Sequence, residues 1–299
     1  MLSLILAAFA IIAGGCACFC LYVLPNRLLR PKGKRWRIIA GEEQFSAAIR
    51  EELRCEDMRV QTKDGVTIAG WFIPAASPAT RTVVMLHGIG GSGARLLPEA
   101  RLFRAHGFNV CLFDSRGSGE SGGIYCTYGY YEKYDLIALI DALSGDAAGR
   151  TQEIGLLGFS MGAAVALQTA AIEPRVQCVI AEACFTDVSS AGYDYLERRL
   201  GVRWKWLHDT AIRAAERKAH FSVKDVSPVE SVKKITIPVM FVHGSGDRIV
   251  KAEYSQILFD NCAGPKERMI IAGGAHTGLR EIAGESYDCK RLDFFKRYL

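Results

Sequence analysis

Glu153-Ile-Gly-Leu-Leu-Gly-Phe-Ser-Met-Gly162, continued by Ala163-Ala-Val-Ala-Leu-Gln-Thr-Ala-Ala-Ile172, decides how the chain is read. The run Glu153-Ile-Gly-Leu-Leu has the length and polarity of a buried strand, and the alanine-rich stretch after Gly162 has the composition of a helix. Between them, Gly158-Phe159-Ser160-Met161-Gly162 has the form G-x-S-x-G. A strand that turns directly into a helix forces the central residue into a strained backbone conformation. Glycines two before and two after it spare the adjoining chain a clash. Ser160 is therefore expected at the tip of a sharp turn at the end of a sheet, beside the N–H groups of a helix N-terminus.

A serine hydroxyl is a weak nucleophile at neutral pH and needs a base, which in turn needs an orienting carboxylate. On a strand–turn–helix elbow the chain order is serine, acid, histidine. Of the six histidines, His276 in Gly273-Gly274-Ala275-His276-Thr277 follows the last predicted strand, where a loop brings it over the elbow. His87 and His243 each precede a glycine at a strand end, His106 falls in a surface helix, and His208 and His220 fall in a helical block. The acid is read as Asp247, in His243-Gly-Ser-Gly-Asp247-Arg-Ile-Val250, 29 residues before His276, with Asp187 as the substitute. Oxyanion stabilisation requires two N–H groups, assigned to Met161 and to Ile89 in the loop after Leu86. His87, Trp204 and Trp206 are assigned to the substrate pocket.

Outward from the elbow, strands alternate with helices. Arg59–Thr62, the turn Lys63-Asp64-Gly65 and Val66–Ile73 read as a hairpin with a two-residue Asp-Gly turn. Strands follow at Thr82–Leu86, Phe108–Phe113, Val176–Ala183, Thr236–Val242 and Glu267–Ile271, with helices near 94–106 and 128–143. This alternation predicts a mostly parallel sheet covered on both faces. One block, about 185–228, holds helices and no strand. Its Tyr193, Tyr195, Trp204 and Trp206 suit a lid, and ordinary packing helices are the alternative. Gly117-Ser-Gly-Glu-Ser in the loop 114–123 has the glycines of an anion nest but lacks the P-loop lysine and the full G-x-G-x-x-G spacing, so it is read as a structural loop at the rim.

Composition narrows the class. The chain has 299 residues, 49% hydrophobic and 23% charged, which suits a globular domain and excludes disorder for most of it. Arg27, Arg30, Lys32, Lys34, Arg35 and Arg37 account for most of the net +5, so the charge is local and marks no nucleic-acid groove. Residues 2–24 carry no charge, long enough for a membrane-spanning helix, and no basic residue precedes them as in a cleaved signal. With the basic cluster following, the positive-inside rule places the bulk of the chain on the cytoplasmic side of a single-pass anchor. Residues 25–58 are read as a basic juxtamembrane connector and 59–299 as the catalytic domain. Ten cysteines without metal-ligand spacing fit a reducing compartment. Cys16, Cys18 and Cys20 are read as inert thiols in the apolar segment, over lipidation or metal binding.

From about residue 59 the chain resembles the α/β-hydrolase superfamily. The resemblance rests on His87-Gly88, Asp114-Ser-Arg-Gly-Ser-Gly-Glu-Ser, Gly158-Phe-Ser-Met-Gly162, Pro238-Val-Met-Phe-Val-His-Gly-Ser-Gly-Asp247 and Gly274-Ala-His276, in that order. Thr127-Tyr-Gly-Tyr-Tyr-Glu132 and the apolar N-terminus resemble the membrane-anchored bacterial serine hydrolases described as S9- or S33-like or BEM46-like. The resemblance implies an eight-stranded sheet and a Ser160–His276–Asp247 triad. It also implies hydrolysis of a small-molecule acyl substrate, an ester or thioester ahead of an amide. A non-catalytic ligand-binding protein is a further alternative. No metal or cofactor is implied.

Overall fold

Along Arg81–Leu86 and Glu153–Phe159, successive apolar side chains are buried on opposite sides of one sheet, and this alternation organises the molecule. The computed structural model describes residues 15, 19–30, 40–201 and 203–299. In chain order the elements are helices α1 (Leu24–Leu29) and α2 (Ala40–Leu53), strands β1 (Glu56–Gln61), β2 (Thr67–Ile73) and β3 (Arg81–Leu86), then α3 (Leu97–Ala105), β4 (Asn109–Phe113) and α4 (Glu132–Ser144). The elbow joins β5 (Glu153–Phe159) to α5 (Met161–Ala170). There follow β6 (Val176–Glu182), α6 (Val188–Leu200), α7 (Lys205–Ala219), α8 (Pro228–Val232), β7 (Val239–Gly244), α9 (Glu253–Asn261), β8 (Lys266–Ile271) and α10 (Leu279–Tyr298), which is kinked at Gly284.

The eight strands form one sheet in the order β1-β2-β4-β3-β5-β6-β7-β8, antiparallel at β1/β2 and β2/β4 and parallel elsewhere. Val84, Leu86 and Leu156 bury toward α4 and α5, whereas Val83, Met85 and Leu157 bury toward α3 and α10. Both faces are thus covered, as a parallel sheet requires. The expected hairpin is present with one correction to its turn. Thr62 N–H donates to Val66 C=O at 2.9 Å and Gly65 adopts φ +80°, so three residues, Lys63-Asp64-Gly65, form the connection. The Asp64 carboxylate is engaged by Thr62 Oγ1 and Arg116, which holds the tighter two-residue register off.

The block between β6 and β7 carries α6, α7 and α8 and no strand. Most of the apolar stretch 2–24 and residues 31–39 lie outside the described residues. Among the described residues, no helix is long and apolar enough to cross a membrane. Among the described residues near it, Leu24 and Leu29 pack on the body formed by the sheet and its helices. Leu24 is buried with Leu196, Leu207 and Ala211 of α6 and α7, and Leu29 joins the cluster beneath α4 and α5. Leu29 C=O accepts from Cys126 N–H at 2.9 Å, and Leu28 C=O accepts from Tyr128 Oη at 2.7 Å. Farther along the stretch read as a connector, α2 buries Ile49 and Leu53 and stacks Arg50 over the Trp71 ring.

Candidate active site

The elbow is built by steric necessity. Ser160 has φ 54° and ψ −114°, in the region disfavoured for side-chain-bearing residues, and its N–H donates to Glu182 C=O of β6 at 2.8 Å. A Cβ on Gly158 would lie 2.4 Å from Gly162 O, and one on Gly162 would lie 2.3 Å from Leu86 O. Both glycines are therefore required for α5 to leave β5 so abruptly and pass against β3.

Asp247 and His276 arrive on two loops that are stitched together beyond β7 and β8. Ser245 N–H donates to Ile271 C=O at 2.9 Å, Gly246 N–H to Gly274 C=O at 2.8 Å, and Gly273 N–H to Ser245 Oγ at 2.9 Å. A Cβ on Gly244 would stand 2.2 Å from Gly274 O, so only glycine lets the histidine loop cross the end of β7 this closely. The consequence is a continuous relay. Ser160 Oγ lies 3.1 Å from His276 Nε2, and His276 Nδ1 lies 2.7 Å from Asp247 Oδ2. With Nδ1–H donating to a carboxylate, Nε2 is the nitrogen that accepts from the serine hydroxyl. The Phe159 ring packs 5.1 Å from the imidazole, centroid to centroid.

Asp247 is fully buried. Burial acts to raise its carboxyl, but hydrogen bonds from His243 and His276, the positive field of His276 and the Val250 N–H outweigh it and hold the group well below the usual carboxylate range. Its Oδ1 accepts from Ile249 N–H at 2.7 Å and Val250 N–H at 2.9 Å.

The remaining predicted residues fall in different places. Met161 is buried at the first position of α5, its Sδ 3.1 Å from Cys126 Sγ, and burial pushes that thiol well above its ordinary range. Ile89 is partly exposed in the loop after β3. His87 is buried under that loop: its Nε2 accepts from Ser115 N–H at 2.9 Å and its Nδ1 lies 2.8 Å from Gly88 O. Both ring nitrogens serve the backbone, and burial lowers the imidazole below its ordinary value, so the assignment of His87 to the substrate pocket gives way to a loop-holding role. Trp204 and Trp206 are exposed at the start of α7 and stack on each other, centroids 6.1 Å apart.

The glycine-rich loop is organised by Asp114, whose Oδ1 accepts from Gly93 N–H at 2.7 Å and Oδ2 from Glu120 N–H at 2.8 Å. Two acids at and after the end of β6 are engaged internally. Glu182 accepts from Tyr287 Oη at 2.7 Å and Arg291 Nη1 at 3.3 Å, and Asp187 caps α6 through Ser190 N–H at 2.8 Å. Sequence reasoning missed Cys126 behind Met161 and His243 beside Asp247. In sequence His243 is marked only by a strand end followed by glycine, which names no partner for it.

A family model described as "Serine aminopeptidase, S33" matches residues 77–231, which include the elbow. The chain belongs to this family of α/β-hydrolases. Among its relatives, this chain is 30% identical over 221 residues to the protein YqkD of Bacillus subtilis, covering 71% of this chain and 70% of that one. It is 26% identical to YfhR of Escherichia coli, covering 92% and 90% respectively. Among solved structures it is similar to the Pyrococcus furiosus esterase Pf2001, with a TM-score of 0.68, 25% identity, and coverage of 83% of this chain and 95% of that one.

Proposed function

We propose that this protein is a serine esterase that works through an acyl-enzyme. The observation that carries the reading is the relay from Asp247 through His276 to Ser160 Oγ, with contacts of 2.7 and 3.1 Å. His276 Nε2 takes the hydroxyl proton as Ser160 attacks the carbonyl, and Nδ1–H remains on the Asp247 carboxylate, which stabilises the imidazolium. The tetrahedral oxyanion is met by the N–H groups of Met161 and Ile89. His276 then protonates the leaving alkoxide, water enters, and the same base activates it to release the acid.

An ester, or a thioester, is preferred to a peptide for two reasons. Glu182 and Asp187 are committed to Tyr287, Arg291 and the α6 N-terminus, which leaves neither carboxylate to hold an α-amino group. The Pf2001 protein, similar over most of both chains, is described as an esterase. The second reading, an aminopeptidase, is favoured by the description of the family model. In this proposal α6 and α7 act as a lid, and the uncharged stretch 2–24 followed by basic residues anchors the protein with its catalytic domain on the cytoplasmic face.

The test is a fluorophosphonate probe with the adduct mapped by mass spectrometry, alongside a p-nitrophenyl ester series from acetate to palmitate and a set of aminoacyl amides. Labelling at Ser160 with ester turnover that vanishes in Ser160→Ala is expected. Turnover of amides alone would replace the esterase reading by the peptidase one, and folded wild-type protein that neither labels nor turns over would leave a ligand-binding role. Reporter fusions at the C-terminus check the topology.

A further inference from the structure

Asp247 is held by two histidines, of which the triad uses one. His243 closes β7 and is completely buried. Its Nε2 lies 3.2 Å from Asp247 Oδ2, the oxygen that also receives His276 Nδ1, and 3.0 Å from Val250 C=O. Its Nδ1 is buried with no hydrogen-bond partner. A proton on Nδ1 would have no acceptor, whereas a proton on Nε2 has two, so geometry fixes the tautomer as Nε2–H.

These contacts close a ring. Val250 N–H donates to Asp247 Oδ1, Val250 C=O accepts from His243 Nε2, and the same Nε2–H is shared with Asp247 Oδ2. With Ile249 N–H also on Oδ1, the carboxylate receives four donors, two on each oxygen. We propose that His243 is a positioning residue for the reaction: it holds the Asp247 carboxylate in the one rotamer that presents Oδ2 to His276 Nδ1, and so sets the orientation of the base. This rests on the triad reading above. His243 is fully buried, beyond the reach of substrate, and acts only through Asp247.

Substitution separates positioning from packing. His243→Gln keeps an N–H donor at about the place of Nε2, and His243→Leu keeps comparable volume without one. Removing a hydrogen bond to a charged group costs about 10- to 100-fold in rate where the geometry of the base depends on it. Expected for His243→Leu is a loss of that size in kcat toward a p-nitrophenyl ester, with KM within about twofold of wild type, because ground-state binding does not involve Asp247. Expected for His243→Gln is recovery of most of that loss. Equal kcat in the two variants, or a change confined to KM, would overturn the proposal.

A measurement on the wild-type chain decides the matter even where His243→Leu does not fold. A long-range proton–nitrogen correlation spectrum of protein labelled at histidine nitrogen reports which ring nitrogen of His243 carries the proton. Nε2–H is required, and Nδ1–H would overturn the proposal. Absence of fluorophosphonate labelling at Ser160 in wild type would instead remove the catalytic reading, so the two failures are distinguishable.

Discussion

Replacing Ser160 by glycine and by alanine tests whether the elbow stores backbone strain. Both variants remove the hydroxyl and its contact with His276, so the difference between them isolates the main chain. At φ 54° and ψ −114° Ser160 occupies a conformation that costs a residue with a Cβ about 1–3 kcal/mol, and alanine inherits that cost while glycine does not. The Ser160 N–H bond to Glu182 C=O, 2.8 Å long, and the close passage of Gly162 past Leu86 pin the backbone, so alanine has no route of relaxation. Against this, glycine gains unfolded-state freedom worth about 0.4–1 kcal/mol. The balance leaves Ser160→Gly more stable than Ser160→Ala by about 1 kcal/mol, or about 1–2 °C in melting temperature at this chain length. Differential scanning fluorimetry of both variants reads this directly. A Ser160→Gly variant melting at or below Ser160→Ala would show that the elbow is not strained as described.

Three further outcomes are expected. Arg291→Leu strands the buried Glu182 carboxylate among Glu99 and Asp288, and should cost about 3–5 kcal/mol in urea unfolding; a smaller loss than 1 kcal/mol would mean that Glu182 is protonated or solvated. Because the folded Asp247 carboxyl is depressed, its contribution to stability is complete above the unfolded value near pH 4 and is lost as pH falls from there toward the lower folded value. Melting temperature followed from pH 6 to 3 should therefore fall more steeply in wild type than in Asp247→Asn (roughly the window set by these carboxyl values), and parallel curves would contradict the assignment. Leu29→Ala empties a site in the main core and should cost about 2–5 kcal/mol, whereas Leu21→Ala, at a side chain 43% exposed, should stay within about 0.5 kcal/mol.

What could be read from sequence follows the range over which each constraint acts. The elbow is local: Gly158 and Gly162 are demanded by atoms within four residues or in the adjacent strand, so G-x-S-x-G between a strand and a helix nearly determines its own geometry. Asp247 and His276 were legible because strand ends can be counted and the fold brings them to one edge. The place of the hairpin turn was legible but its length was not, because Asp-Gly alone does not choose between two- and three-residue loops. Arg116, 52 residues away, binds Asp64 in the three-residue form.

His243 and the segment Phe19–Leu29 were not legible, for opposite reasons. A histidine before a glycine at the end of a buried strand has no local partner that marks it. Its partners appear only when the loop 244–250 folds back and returns Asp247 and the Val250 carbonyl to the same nitrogen. Hydropathy, conversely, registered Leu24 strongly but could not say what solvent it prefers, since a lipid chain and a protein core are equally apolar. The deciding contacts, Leu28 with Tyr128 and Leu29 with Cys126, span about a hundred residues of sequence. They place the segment that follows the uncharged stretch against the loop whose Cys126 touches Met161, the residue after Ser160.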